Sequence, residues 1–354
     1  MRKLTKIAAA VSGALLMGST LTAQAVPFAP VAAYAEAELI VSNFQIQSAT
    51  CNVATGAACP GFAGFGGVAV NTALTPADFT GLAVSVTSQI PTASINGIIS
   101  AVPAQTIDPI TNPLATISQV VSAGPNAGNY LPYASYSLGN LGVGTFAGAA
   151  SDHSGNGLDV GGPGNLTLAK TQAQVNITGA ATGTASAAQS LTTEFLLTTL
   201  QADVFDVLFD ADMFQRWALA QPAVEAKSTV NWSLTVDIDL DPGVGTAWST
   251  VLSWAPNGAA GGIFNPCAAA NLCAELADSF NLQSPQGTLS TSDDEIDESG
   301  NFGVRAALGA GSYRFTIGHT TFVSATAVPE PGSLALLGAA LLGLAGLRRK
   351  TKKA

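Results

Sequence analysis

The sequence predicts a mainly β protein, an antiparallel, jelly-roll-like β-sandwich, and three stretches carry that expectation. Asn231 to Asp241 alternates without a break. Trp232, Leu234, Val236, Ile238 and Leu240 share one face, while Asn231, Ser233, Thr235, Asp237, Asp239 and Asp241 share the other. This is the period-two pattern of a half-buried strand. Tyr313, Phe315 and Ile317 alternate with Ser312, Arg314 and Thr316, and Trp248, Leu252 and Trp254 share one parity ahead of the turn Pro256-Asn257-Gly258. Antiparallel strands with one dry face need a second layer to cover it, which makes a sandwich the simplest architecture.

Other elements are weaker. Phe205, Val207, Phe209, Ala211 and Met213 recur with period two, although Asp203, Asp206 and Asp210 would also suit the wet face of a helix; strand is the expected state. Phe44 and Ile46 point to an early strand, and Leu166, Leu168, Val175 and Ile177 to others. From Cys51 to about Ser190 the chain is rich in small residues with no clean repeat, and the Gly-rich stretch Ser151 to Gly164 reads as a linker or long loop. The expected organisation is a signal peptide over 1–25 and a Gly/Ala/Ser/Thr-rich β region over 26–190. A β-sandwich region over 191–328 and a terminal sorting segment over 329–354 follow.

Charge narrows the partners. Eight of the 13 basic residues sit at the two ends, so Val26 to Val328 holds 5 basic against 22 acidic residues, a net of −17. Phosphate backbones would repel such a body, which excludes nucleic acid; a neutral or cation-bridged polymer such as extracellular polysaccharide fits better.

Both ends carry addresses. Arg2, Lys3 and Lys6 precede an apolar run from Ile7 to Met17 and then Ala23-Gln24-Ala25. The order is that of a secretory signal helix, with small side chains at Ala23 and Ala25 for signal peptidase and cleavage after Ala25. At the other end Pro329-Glu330-Pro331 is followed by an apolar stretch from Ser333 to Leu347 and by the basic cluster Arg348, Arg349, Lys350, Lys352 and Lys353. The two prolines hold the motif extended and outside helix or sheet. The 15 apolar residues make a helix of roughly 22 Å, a short transmembrane span. The basic cluster acts as a stop-transfer signal that stays cytoplasmic, which leaves the body on the outer side of the inner membrane.

This tripartite tail resembles the PEP-CTERM sorting signal of exosortase substrates. The resemblance covers about the last 26 residues. It implies recognition by exosortase, a membrane-embedded cysteine transpeptidase-like enzyme of Gram-negative bacteria that make extracellular polysaccharide. It further implies transient anchoring in the inner membrane and delivery to the cell surface or matrix.

Candidate chemistry in the body is sparse. Cys51 with Cys59 and Cys267 with Cys273 form two close pairs, and in an oxidising compartment local disulfides are expected, although four cysteines allow three connectivities. Zinc lacks ligands at the usual spacing, and the only histidines, His153 and His319, are far apart in sequence. Asp237, Asp239 and Asp241 line one strand face. Solvation is the first explanation and calcium the second, since Pro242 and Trp248 break the calcium-loop pattern. Asp293, Asp294, Glu295, Asp297 and Glu298 read as a wet loop, with calcium between chains or against acidic polysaccharide as the alternative. Asp152-His153-Ser154 offers triad residue types, but adjacency in sequence is not a triad. Trp232 is assigned to the core, while Trp248 and Trp254 are left open as sugar-stacking platforms. The function expected is a non-catalytic, cofactor-free surface or matrix protein. A carbohydrate-binding sandwich is the alternative, and a secreted hydrolase the second alternative.

Overall fold

The computed structural model describes residues 32–48, 79–108, 112, 115–133, 144–154, 167–179, 181–197, 203–219, 224–241, 247–258, 263–264, 273–288 and 293–327. Both the expected signal helix and the expected transmembrane helix lie outside these residues. Among the described residues no helix is long and apolar enough to cross a membrane.

The described residues form two antiparallel sheets. The first contains β1 (Ala32–Ser48), β6 (Ile117–Ala123), β7 (Phe146–Ser154), β8 (Thr167–Thr178), β10 (Asp203–Leu219), β14 (Cys273–Asp278) and β16 (Asp293–Leu308). Their order across the sheet is β14-β16-β10-β1-β8-β7-β6. The second contains β2 (Phe79–Ser88), β3 (Thr92–Ile95), β4 (Ile98–Ala101), β5 (Gln105–Ile107), β9 (Ala181–Leu197), β11 (Val224–Asp239), β12 (Trp248–Trp254), β13 (Ile263–Phe264), β15 (Gln283–Thr288) and β17 (Gly311–Ala327). Its main order is β13-β12-β11-β17-β9-β2-β5, with β3 on β9, β4 on β3 and β15 on β11. The inner faces of both sheets share one continuous apolar core, so the body is a sandwich-like stack of two layers.

Alternation explains why these strands form. On β1 the small residues Ala33, Ala35 and Ala37, then Leu39 and Val41, face the partner sheet and are buried, while Tyr34, Glu36 and Glu38 face the other way. One residue later the phase must change. Asn43, at φ 53°, makes a bulge between Ser42 and Gln45, which returns Phe44 to the core and lets the Asn43 amide donate to Asp210 at 2.5 Å. The centre of the core is aromatic. The Phe209 ring stacks on Trp232 at 4.4 Å and on Phe302 at 5.1 Å, and Trp254 meets Trp232 edge-on at 5.4 Å.

The alternating stretches at 231–239 and 313–317 are the strands expected, as is the one through Phe205 to Met213. Several details differ. Asp206, which the alternative helix would have placed on a wet face, is buried in the strand and paired with Arg305. Leu240, assigned to the dry face, is 66 % exposed because β11 has already ended at Asp239. Ser151 to Ser154, read as linker, is the end of β7, hydrogen-bonded between β6 and β8. The acidic run read as a loop is the start of β16, paired with β10. The charges of Asp294, Glu295, Asp297 and Glu298 are tolerated in a strand because they stay exposed, and Arg216 meets Glu295 at 3.2 Å. The expected division at 190 falls inside β9, and strands from both sides of it contribute to both sheets.

Candidate functional sites and the sorting motif

The outer face of the first sheet carries a buried polar network. Because β1 lies beside β8, the carboxyl of Glu36 faces the row Gln172 and Gln174. The Tyr34 hydroxyl donates to Glu36 Oε2 at 2.5 Å, and the amides of Gln172 and Gln174 donate to Oε1 at 2.7 and 3.2 Å. A lid closes over this row. Tyr130 donates to Gln172 Oε1 at 3.3 Å, the Tyr133 backbone N–H donates to the same oxygen at 2.6 Å, and Lys170 sits over the Tyr133 ring at 5.4 Å. Gly148 makes the lid fit, since any Cβ there would lie 2.3 Å from the Tyr130 ring. Burial pushes the Glu36 carboxyl up to about 8, opposed by the Tyr34 hydrogen bond and reinforced by the charge of Glu38. Burial likewise raises Glu38, with Lys170 pulling the other way, and raises Tyr133, beside Asp152. None of these residues was singled out from the sequence. The signal was present as Tyr34, Glu36 and Glu38 interleaved with alanines and as Gln172, Gln174 and Asn176 at period two.

The two histidines, distant in sequence, come together between the sheets. His153 projects inward from β7 and His319 from β17, and they line a cavity of about 20 Å³ with Phe44, Gln189 and Ile317, large enough for about one water. His319 Nε2 has no hydrogen-bond partner among the described residues. Burial lowers the His319 imidazole to about 3, and the charge of His153 adds to that. Next to them Ser88 donates to Ser151 Oγ at 2.9 Å and Gln189 donates to the same oxygen at 2.8 Å. Local sequence holds no trace of this pairing, because it depends on which strands face each other.

Strand geometry separates Asp152 from His153. His153 is buried between the sheets, whereas Asp152 lies on the opposite face toward Tyr133. Of the candidate calcium ligands, Asp237 is buried and receives Arg314 Nη2 at 3.0 Å and the Thr250 hydroxyl at 2.8 Å. Asp239 Oδ1 accepts from the backbone N–H of Asp241 at 2.9 Å, which shapes the turn after β11. A guanidinium and a hydroxyl thus meet Asp237, where solvent was expected. Among the described residues no cluster of three His, Cys, Asp or Glu side chains is placed to hold a metal ion. Trp254 is fully buried and donates to Glu275 at 2.7 Å, which removes it as a sugar platform. Trp248 is half-buried, with the Arg314 guanidinium 4.4 Å from its ring centroid.

Cys273 is disulfide-bonded; Cys51, Cys59 and Cys267 lie outside the described residues, and so does the expected pairing. The same holds for Ala23, Ala25, Pro329, Glu330, Pro331 and the basic residues Arg348, Arg349, Lys350, Lys352 and Lys353. What the structure does fix is where the tail leaves. β17 runs to Ala327, still paired with Val224 on β11 and Ala181 on β9.

The two-layer β body by itself assigns no address; the segment that follows its strand β17 in the sequence does. Residues 327–350 match the PEP-CTERM protein-sorting motif. The chain therefore carries a PEP-CTERM sorting signal, which implies export to the cell envelope or surface and recognition by exosortase. No curated protein and no solved structure matches the chain.

Proposed function

We propose that the chain is a non-catalytic surface or matrix protein of a Gram-negative bacterium. It is exported through the inner membrane with removal of its signal by signal peptidase, held briefly by its tail, processed by exosortase and handed to extracellular polysaccharide, where it supports biofilm cohesion or flocculation. The observation that carries this reading is the sorting motif over 327–350, which begins where β17 ends. A jelly-roll-like body is supported by the way β8, β9, β10 and β11 pass alternately between the two sheets. Calcium at Asp237, Asp239 and Asp241 is the weaker proposal, since Arg314 already neutralises Asp237.

The test is intact mass of the protein recovered from envelope and medium of an exosortase-positive host and of its exosortase deletion. Loss of the segment after Pro329-Glu330-Pro331 in the first host alone supports processing. Retention of Leu334 to Ala354 in both hosts makes the tail an ordinary anchor and overturns the reading.

A carbohydrate-binding module is the second reading, favoured by the half-buried Trp248 whose ring Arg314 orients. Retention on immobilised host polysaccharide that Trp248→Ala abolishes would support it; equal retention of both forms would remove it.

A further inference from the structure

The described body has two poles, and Ala32 and Ala327, the first and last described residues, lie at one of them. Ala32, at the start of β1, pairs with Thr178, the last residue of β8. Ala327, at the end of β17, pairs with Ala181, the first residue of β9. Only residues 179–180 separate Thr178 from Ala181 in the sequence, so β17 ends at the same pole at which β1 begins.

A hairpin reaches that pole in the second sheet. β3 and β4 are joined by Asn96-Gly97, with φ of 50° and 77°, the two positive values of a type I′ turn. Ile95 pairs with Gly183, and Gly183 with Ala325, so the turn stands level with the end of β17. The turn is pinned there, because the Asn96 backbone N–H donates to Thr182 O at 2.8 Å and the Thr182 N–H donates to Asn96 Oδ1 at 3.0 Å. Just past it, Ile98 is 75 % and Ile99 69 % exposed, and Thr92 to Ala101 contains no charge. Among the described residues β4 pairs only with β3. Soluble proteins blunt such an edge with charge or proline, and this one carries neither in the strand.

We propose that this hairpin is a membrane contact: Ile98 and Ile99 rest in the surface of the bilayer that holds the chain's own tail. The proposal rests on the tail-anchor reading above. Residues 328–332 separate Ala327 from the apolar stretch at Ser333, a tether of roughly 20 Å at full extension. From β17 across β9 and β3 to β4 is three strand spacings, roughly 14 Å. The hairpin therefore lies within the reach that the tether allows, and the tether gives even a weak apolar contact a high effective concentration at the bilayer. Charge sets the direction of tilt. Asp293 to Glu298 occupy the same pole on β16, at the far side of the first sheet from β7, against which β3 packs. The uncharged edge turns to the lipid and the acidic edge turns away.

The full-length chain, tail included, is reconstituted into vesicles of phosphatidylethanolamine and phosphatidylglycerol with brominated acyl chains. Ile98→Trp is compared with Thr80→Trp, an exposed position at the opposite pole, and each is read as a difference from the unsubstituted chain with its 4 native tryptophans. Bromolipid quenching of the tryptophan at 98 and not of that at 80 supports the proposal, and Ile99→Trp repeats the reading should the first variant misfold. Co-flotation of the chain with vesicles while both added tryptophans stay unquenched overturns the hairpin contact and leaves the tail anchor standing. Shielding of position 98 from iodide without bromolipid quenching, in a chain that runs as a dimer, assigns the edge to a second copy and also overturns it. Absence of flotation removes the anchor and the proposal together.

Discussion

Arg305 on β16 grips both carboxylate oxygens of Asp206 on the adjacent β10, Nε to Oδ1 and Nη2 to Oδ2, each at 2.6 Å. The side chains are 12 % and 8 % exposed, so each charge depends on the other for what water would otherwise supply. Arg305→Met strands the carboxylate and is expected to destabilise the body by about 3–5 kcal/mol. Asp206→Leu combined with Arg305→Met should recover most of that. Urea denaturation of the single and double variants checks both expectations.

Acid should weaken the fold through His319. Its imidazole sits near 3 when folded against an ordinary 6.5, so the unfolded chain binds the proton more readily. The stability it contributes is complete above pH 6.5 and is lost as pH falls from there toward 3, by at most about 1.4 kcal/mol per pH unit. His319→Leu should flatten this acid limb, as seen in denaturation midpoints taken between those limits.

Alkali should act through Glu36 in the opposite direction. Its folded value is near 8 against an ordinary 4.5, so its stabilisation is complete below pH 4.5 and disappears as pH rises to about 8. Glu36→Gln keeps an acceptor for the amides of Gln172 and Gln174 and gives Tyr34 a donor in place of an acceptor. Relative to the parent chain, the variant should gain stability steadily from pH 4.5 to 8, read in the same denaturation series.

Gly148→Ala places a methyl group inside the Tyr130 ring contact. Because Phe146 and Gln172 also fix that ring, the lid must move, at a cost of about 1–3 kcal/mol. Iodide quenching of tyrosine emission should rise, and titration of the Glu36 carboxyl, followed by infrared absorption, should move back toward the ordinary range.

The sequence made the strands legible wherever one face is bulky and the other polar, as in Trp232 to Val236 and Tyr313 to Ile317. It was opaque where the dry face is alanine. Ala33, Ala35 and Ala37, or Ala185 and Ala187, bury fully yet carry little hydrophobic contrast against Ser and Thr neighbours. The tail was readable because its three parts act in linear order and need no fold. His153 and His319 were not readable as neighbours, since only the stacking of two sheets brings them together. The acidic start of β16 misled because charge density favours a loop, while pairing with β10 on one side supplies its backbone hydrogen bonds.

The position of β17 also orders events in time. It is the last strand of the body and lies between β9 and β11, which are paired with it along its length. Until it emerges, β9 with β2 and β3 and β11 with β12 and β15 are two fragments with open edges toward each other. A chain delivered N-terminus first therefore cannot close this sheet until Gly311 to Ala327 has crossed, at which point the apolar tail is the next segment in the channel. On the proposed tail-anchor reading, completion of the fold and arrest in the membrane are then consecutive steps of one passage. A chain cut short within β17 would have neither its sheet closed nor its sorting motif attached.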